Sequence, residues 1–98
     1  MFREFEAGKR AYEALGECVE TALEEENSEV AVICALPLAK LAEAEQANYF
    51  GYEGYYNYNR ALNLAAEAYE LAKEEGVPSW LEDNLKEIRY TLKKIGYW

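Results

Sequence analysis

The chain has 98 residues, 51% of them apolar, and a formal net charge of -9. That length allows one hydrophobic core, so a single domain over residues 1–98 is expected, and the apolar half argues against disorder despite the charge. No apolar run approaches the roughly 20 residues of a membrane span, and Arg3, Glu4 and Glu6 interrupt any leader-like stretch, so a soluble, cytoplasmic protein is expected.

Helical spacing dominates, and no stretch alternates with a period of two. In the first helix, expected over about residues 3–25, Phe5, Tyr12, Leu15, Val19, Ala22 and Leu23 recur mostly at helical intervals with glutamates between them. Gly8 and Gly16 weaken this helix or admit a close neighbour. Asn27 and Ser28 offer N-caps for a second helix over about 29–50. Its first half is apolar all round: Val30, Ile33, Pro37, Leu41 and Ala44 mark one stripe, and Val32, Leu36 and Ala39 mark another. Such a helix is central in its domain or covered by a second chain. Pro37 removes a backbone donor, and a kink or break near Leu36 is expected.

A ten-residue run follows, Tyr49-Phe50-Gly51-Tyr52-Glu53-Gly54-Tyr55-Tyr56-Asn57-Tyr58, of which six residues are aromatic. Its glycines and asparagine favour a turn, and it carries more ring area than a connector needs. The third helix is expected over about 57–75, with Tyr58, Ala61, Leu62, Ala65, Ala68, Tyr69 and Ala72 as its stripe. Four of those seven are alanine, so another helix can pack closely there. Gly76 stands where a left-handed C-cap is wanted, and Pro78 prevents continuation. Ser79-Trp80-Leu81-Glu82 reads as a capping box for a fourth helix over about 79–95. Leu81, Leu85, Ile88, Leu92 and Ile95 form its seam, and Gly96-Tyr97-Trp98 ends it. The fold class is therefore all-α.

From Tyr58 onward this pattern resembles the tetratricopeptide-repeat family of stacked helical hairpins. Tyr58-Asn59-Arg60-Ala61-Leu62 through Ala65, Ala68 and Tyr69 looks like that family's second helix, with Ala61 at its small packing position and Ala65 where a larger aromatic is usual. Leu85, Ile88, Tyr90, Leu92 and Ile95-Gly96-Tyr97 look like the next repeat's first helix running into its glycine turn. The resemblance covers about residues 56–97. Residues 38–52 lack the family's tryptophan, leucine and glycine order, and the segment holding Gly51 and Gly54 is longer than its usual turn. The resemblance implies a short stack of two helical hairpins. An antiparallel four-helix bundle accommodates the same helices, and both architectures stay open at this point.

Little in the chain points to chemistry. Histidine is absent, which removes the commonest general base and metal ligand. Gly51 and Gly54 do not form a phosphate loop, and Ser28 and Ser79 are better explained as helix caps. Cys18 and Cys34 match no zinc motif. If the first two helices form a hairpin turning near Asn27, the two cysteines lie at similar heights and a bridge is possible; two small buried hydrophobes is the reading preferred from sequence. Glu13, Glu17, Glu20 and Glu24 follow one face of the first helix, and Glu67, Glu70 and Glu74 one face of the third, both as solvated faces. Glu43 and Glu45 are expected to be semi-buried, with salt bridges to Lys40 or Arg60. No enzyme activity, cofactor or metal is expected.

From Ala11 to Asn59 ten acidic residues face a single basic one, Lys40, whereas Lys86, Arg89, Lys93 and Lys94 outweigh Glu87 after Asn84. An acidic surface lacks the cations that drive nucleic-acid binding, and it disfavours anionic lipid. What remains is a non-catalytic protein–protein interaction module that binds a protein partner or a second copy of itself, a homodimer being the simplest form. Tyr, Gly and Asn make adaptable contact surfaces, so the candidate binding residues are Tyr49, Tyr52, Tyr55, Tyr56, Tyr58 and Arg60. The competing expectation is a small acidic inhibitor that mimics nucleic acid, of the kind phages and archaeal viruses make.

Overall fold

The computed structural model describes residues 2–48 and 54–98, and within the helices it leaves the side chains of residues 2–7, 46–48 and 54–57 undescribed. It is an antiparallel four-helix bundle: α1 (Phe2–Glu24), α2 (Ser28–Asn48), α3 (Gly54–Glu75) and α4 (Glu82–Lys94), with a single 3-10 turn at Ser79–Leu81 before α4. No helix among the described residues is long and apolar enough to cross a membrane.

The turns are built by backbone chemistry that the sequence specifies closely. At the end of α1 the Asn27 N–H bonds the Ala22 carbonyl at 2.8 Å and the Glu26 N–H bonds Leu23 at 3.1 Å, the paired bonds of a Schellman motif. Asn27 serves twice, because its Oδ1 also accepts the Val30 N–H at 3.1 Å and so opens α2. Ser28, the other expected cap, instead donates its hydroxyl to the Gly76 carbonyl at 2.7 Å and ties the first turn to the third. Gly76 (φ 83°) ends α3 with its N–H on the Ala72 carbonyl, and Gly96 (φ 87°) ends α4 in a second Schellman motif.

Glu26 holds the same left-handed conformation at φ 53° without being glycine. An L side chain there costs about 1–2 kcal/mol, and three consecutive glutamates sit against the negative end of the α1 dipole. Glu26→Gly is therefore expected to stabilise the fold by about 0.5–1 kcal/mol, read as a raised urea midpoint with an unchanged denaturant slope. A lowered midpoint would refute the assignment.

Two boundaries depart from expectation. The capping box at Ser79 does not form: the 3-10 turn closes through Leu81 N–H on the Pro78 carbonyl at 2.9 Å, with no side-chain cap bond at either helix start. Pro78, extended at ψ 151°, presets that entry and Leu81 is buried by it. Nor does Pro37 break α2, which is helical from Ser28 to Asn48. Pro37 lies on the exposed side, so water reaches the Ile33 carbonyl that loses its helix partner.

The packing order defines the architecture. α2 and α3 form the central pair; α1 packs against both, α4 packs against both, and among the described residues α1 does not touch α4. In a closed square of four helices the first and last would be neighbours. Here they lie on opposite sides of the central pair, which leaves one outward face open on α2 and another on α3. The core between them is rich in alanine: Ala31, Ala35, Ala39 and Ala42 of α2 meet Ala61, Ala65, Ala68 and Ala72 of α3, with Val19, Leu38, Leu81, Ile88 and Leu92 filling the volume. Small residues on both helices permit the close approach that the third stripe implied.

α2 needed this context. Its two apolar stripes are equivalent by sequence, but Val32 and Ala39 are buried whereas Val30, Ile33 and Pro37 face outward, Ile33 at 42% exposure.

Candidate functional site

One covalent link and three polar ones tie the helices together. The first is Cys18–Cys34, which are bridged across α1 and α2 with Cα atoms 6.1 Å apart, not the separate buried thiols preferred from sequence. The Schellman turn explains the pairing, because each cysteine stands eight residues from Glu26 and the two reach equal height on antiparallel helices.

The second is Arg60, whose guanidinium donates to Glu20 across α1 and α3. It lies over Gly16, where an added Cβ would come within 2.9 Å of Nη1. Gly16 thus admits a close neighbour, as one of the two sequence readings had it. Arg60 is committed to holding α3 on α1, which weakens it as a freely available contact residue.

The third is a pair at the junction end. Glu45, only 3% exposed, accepts the Tyr12 hydroxyl through Oε2. Its other oxygen, Oε1, is buried without a hydrogen-bond partner among the described residues. Burial of Glu45 was legible from its place on an apolar helix, but its partner lies 33 residues away and is not. Glu43 is only partly buried; it accepts from Lys94 at 2.9 Å and pairs by charge with Lys40 at 3.6 Å, while Lys40 also reaches Glu87 at 3.2 Å. These contacts fasten α4 to α2.

The Lys94 hydrogen bond holds the Glu43 carboxyl below its ordinary value, aided by the charge of Lys40 and opposed by desolvation, and the same bond raises Lys94. A lowered carboxylate stabilises the fold at neutral pH and loses that contribution as pH falls through the ordinary range to the folded value. A raised lysine contributes below its ordinary value and loses its contribution as pH rises past it. The clamp is thus strongest between those limits. Glu43→Gln should cost at most about 1 kcal/mol near neutrality, since the pair is close to solvent, and nothing in strong acid. Urea midpoints measured on both sides of the carboxylate range test this; an equal loss at both values would contradict it.

The six candidate binding residues fare differently. Tyr49 and Tyr52 lie outside the described residues. Tyr55 and Tyr56 belong to the first turn of α3, which begins at Gly54 and not near residue 57 as expected, so part of the aromatic run is helix and not connector. Tyr58 is half-buried against the core. Arg60 pairs with Glu20 as described.

Two surface grooves complete the picture. One of about 630 Å³ lies at the turn end between Glu25–Glu29 and Glu75–Pro78 and is strongly acidic. The other, about 610 Å³, runs along the outward face of α3, where Glu67, Glu70 and Glu74 share it with Tyr97 and Trp98. There the Tyr97 hydroxyl donates to Asn63 Oδ1 at 2.7 Å, and the Trp98 ring stands edge-on to Tyr69 with centroids 5.1 Å apart. Compared with protein-family models, with curated proteins and with solved structures, the chain matches none of them.

Proposed function

We propose that the protein is a non-catalytic interaction module whose partner docks on the Tyr-rich junction between α2 and α3. The observation that carries this reading is the open apolar face of α2. Val30, Ile33 and Pro37 are exposed, and the stripe continues through the half-buried Leu41 and Ala44 toward Asn48, next to the aromatic run. An apolar strip that runs toward a ring-rich stretch of sequence has the composition of a contact surface with aromatic anchors. The α1–α4 separation keeps that strip uncovered within one copy. It also gives each helix contacts to the next and the next but one, an order that a stack of helical hairpins shares.

The cytoplasmic location belongs to this proposal under a condition set by Cys18–Cys34. Such a bridge persists outside the cell, or in an interior that keeps thiols oxidised as some hyperthermophiles do.

The test is a pull-down from the native host with the wild-type chain and with Tyr52→Ala/Tyr55→Ala/Tyr56→Ala. The expected result is a partner retained by the first and bound at least about tenfold more weakly by the second, with the two chains melting together. Equal recovery defeats the reading. So does a variant that melts far below the wild type, because the rings are then core. The rival reading, an acidic mimic of nucleic acid, draws on the exposed Glu13, Glu17 and Glu24 of α1. It predicts competition with nucleic acid for a basic partner, lost steeply with salt.

A further inference from the structure

Two unpaired charge stripes run along the face made by α3 and α4. Glu67, Glu70 and Glu74 stand at i, i+3 and i+7 on α3; Lys86, Arg89 and Lys93 have the same spacing on α4, and all six are exposed. None of the six has an ion-pair partner among the described residues. On α4, Glu87 and Lys94 reach across to α2, so the opposite flank, which carries the three cations, lies on the α3 side.

The stripes also run in matching order. The Tyr97–Asn63 hydrogen bond sets the C-terminal end of α4 beside the first half of α3, so on these antiparallel helices Lys93 lies toward the Glu67 end and Lys86 toward the Glu74 end. Acid and base thus follow the same order along neighbouring helices of one molecule, with Trp98, 42% exposed, at the end of the same face.

We infer that this face is the docking surface for a second copy of the chain. A two-fold axis parallel to the helices leaves heights unchanged and lays α4 of the second copy over α3 of the first. Glu67 then meets the partner's Lys93, Glu74 meets the partner's Lys86, and Glu70 meets the partner's Arg89. The same three pairs form again on the other side of the axis. An unrelated basic partner would satisfy only the α3 stripe; a second copy satisfies both stripes at once. Tyr97 and Trp98, both exposed at the end of this face, add apolar contact area beside the charged stripes. The face measures roughly 20 Å by 20 Å, from about 13 helical residues and two helix widths. That is the small end of specific interfaces, so the dimer is weak and salt-sensitive. It lies on α3 and α4, away from the α2 strip, and stands independently of the junction reading above.

Sedimentation over about 10–500 µM, the range suited to a small interface, tests it with two charge-reversed chains. These are Glu67→Lys/Glu70→Lys/Glu74→Lys and Lys86→Glu/Arg89→Glu/Lys93→Glu. The wild type should dimerise at low salt and dissociate as salt is added. Each reversed chain alone should associate at least about tenfold more weakly. An equimolar mixture should recover a one-to-one heterodimer, because each reversed stripe then faces its opposite. A wild type that stays monomeric throughout overturns the inference. So does a dimer that survives both reversals, which would place self-association on another surface, or a mixture that fails to reassociate. If a reversed chain loses its helical circular dichroism, Glu67→Gln/Glu70→Gln/Glu74→Gln and Lys86→Gln/Arg89→Gln/Lys93→Gln replace the pair, and each must weaken the dimer.

Discussion

Reduction of Cys18–Cys34 should lower the stability of the fold by about 3 kcal/mol, the loop-closure value for a loop of about 15 residues. For a domain near 100 residues that corresponds to a fall of roughly 12–24 °C in melting temperature. The bridge joins the middle of α1 to the middle of α2 with a sequence separation of 16, so it restricts the unfolded chain over the whole first hairpin. Among the described residues α1 packs against α2 and α3 and not against α4, so the bridge reinforces one of its two interfaces. Thermal melts with and without a phosphine reductant, beside the doubly substituted Cys18→Ala/Cys34→Ala chain, measure the effect. The reduced wild type and the substituted chain should melt close together and well below the oxidised protein. Equal melting of the oxidised and reduced protein would show that the two thiols are not joined in solution.

Elements with a single dominant period were readable from sequence, and those without one were not. The alanine stripe of α3 and the Leu81–Ile95 seam of α4 each pair one apolar face with one polar face, and both were placed correctly in the core. α2 offers two apolar stripes of similar strength, and only the positions of α1 and α4 around it decide that Val32 and Ala39 turn inward while Val30 and Ile33 turn outward. The start of α3 was misplaced by three residues because the first turn of a helix makes few demands on its donors, so Gly54, Tyr55 and Tyr56 can be helical despite their turn-forming character. The cysteine bridge depends on a turn of three residues whose left-handed position is a glutamate, not the glycine that would have announced it. The charge stripes are visible as spacing on each helix, but their matching order along the bundle appears only once Tyr97 is seen against Asn63.

The buried pair near the end of α2 carries the second large expected effect. Glu45 is 3% exposed and the Tyr12 hydroxyl donates to one of its oxygens, while the other has no partner among the described residues. A buried carboxyl group that loses this partner has neither oxygen paired among the described residues, so Tyr12→Phe should destabilise by about 2–3 kcal/mol. The ring itself stays, and packing of the aromatic body against the core is unchanged. Replacing the carboxylate with an apolar side chain of similar length removes the demand for a donor altogether. Tyr12→Phe/Glu45→Met should therefore recover much of the loss, and the coupling between the two positions should reach about 1.5–3 kcal/mol in a double-mutant cycle. Urea unfolding of the four chains measures it. Were the double variant to lose the plain sum of the two single losses, the hydroxyl and the carboxylate would not be acting as a pair. Glu45 would then be held by groups other than Tyr12.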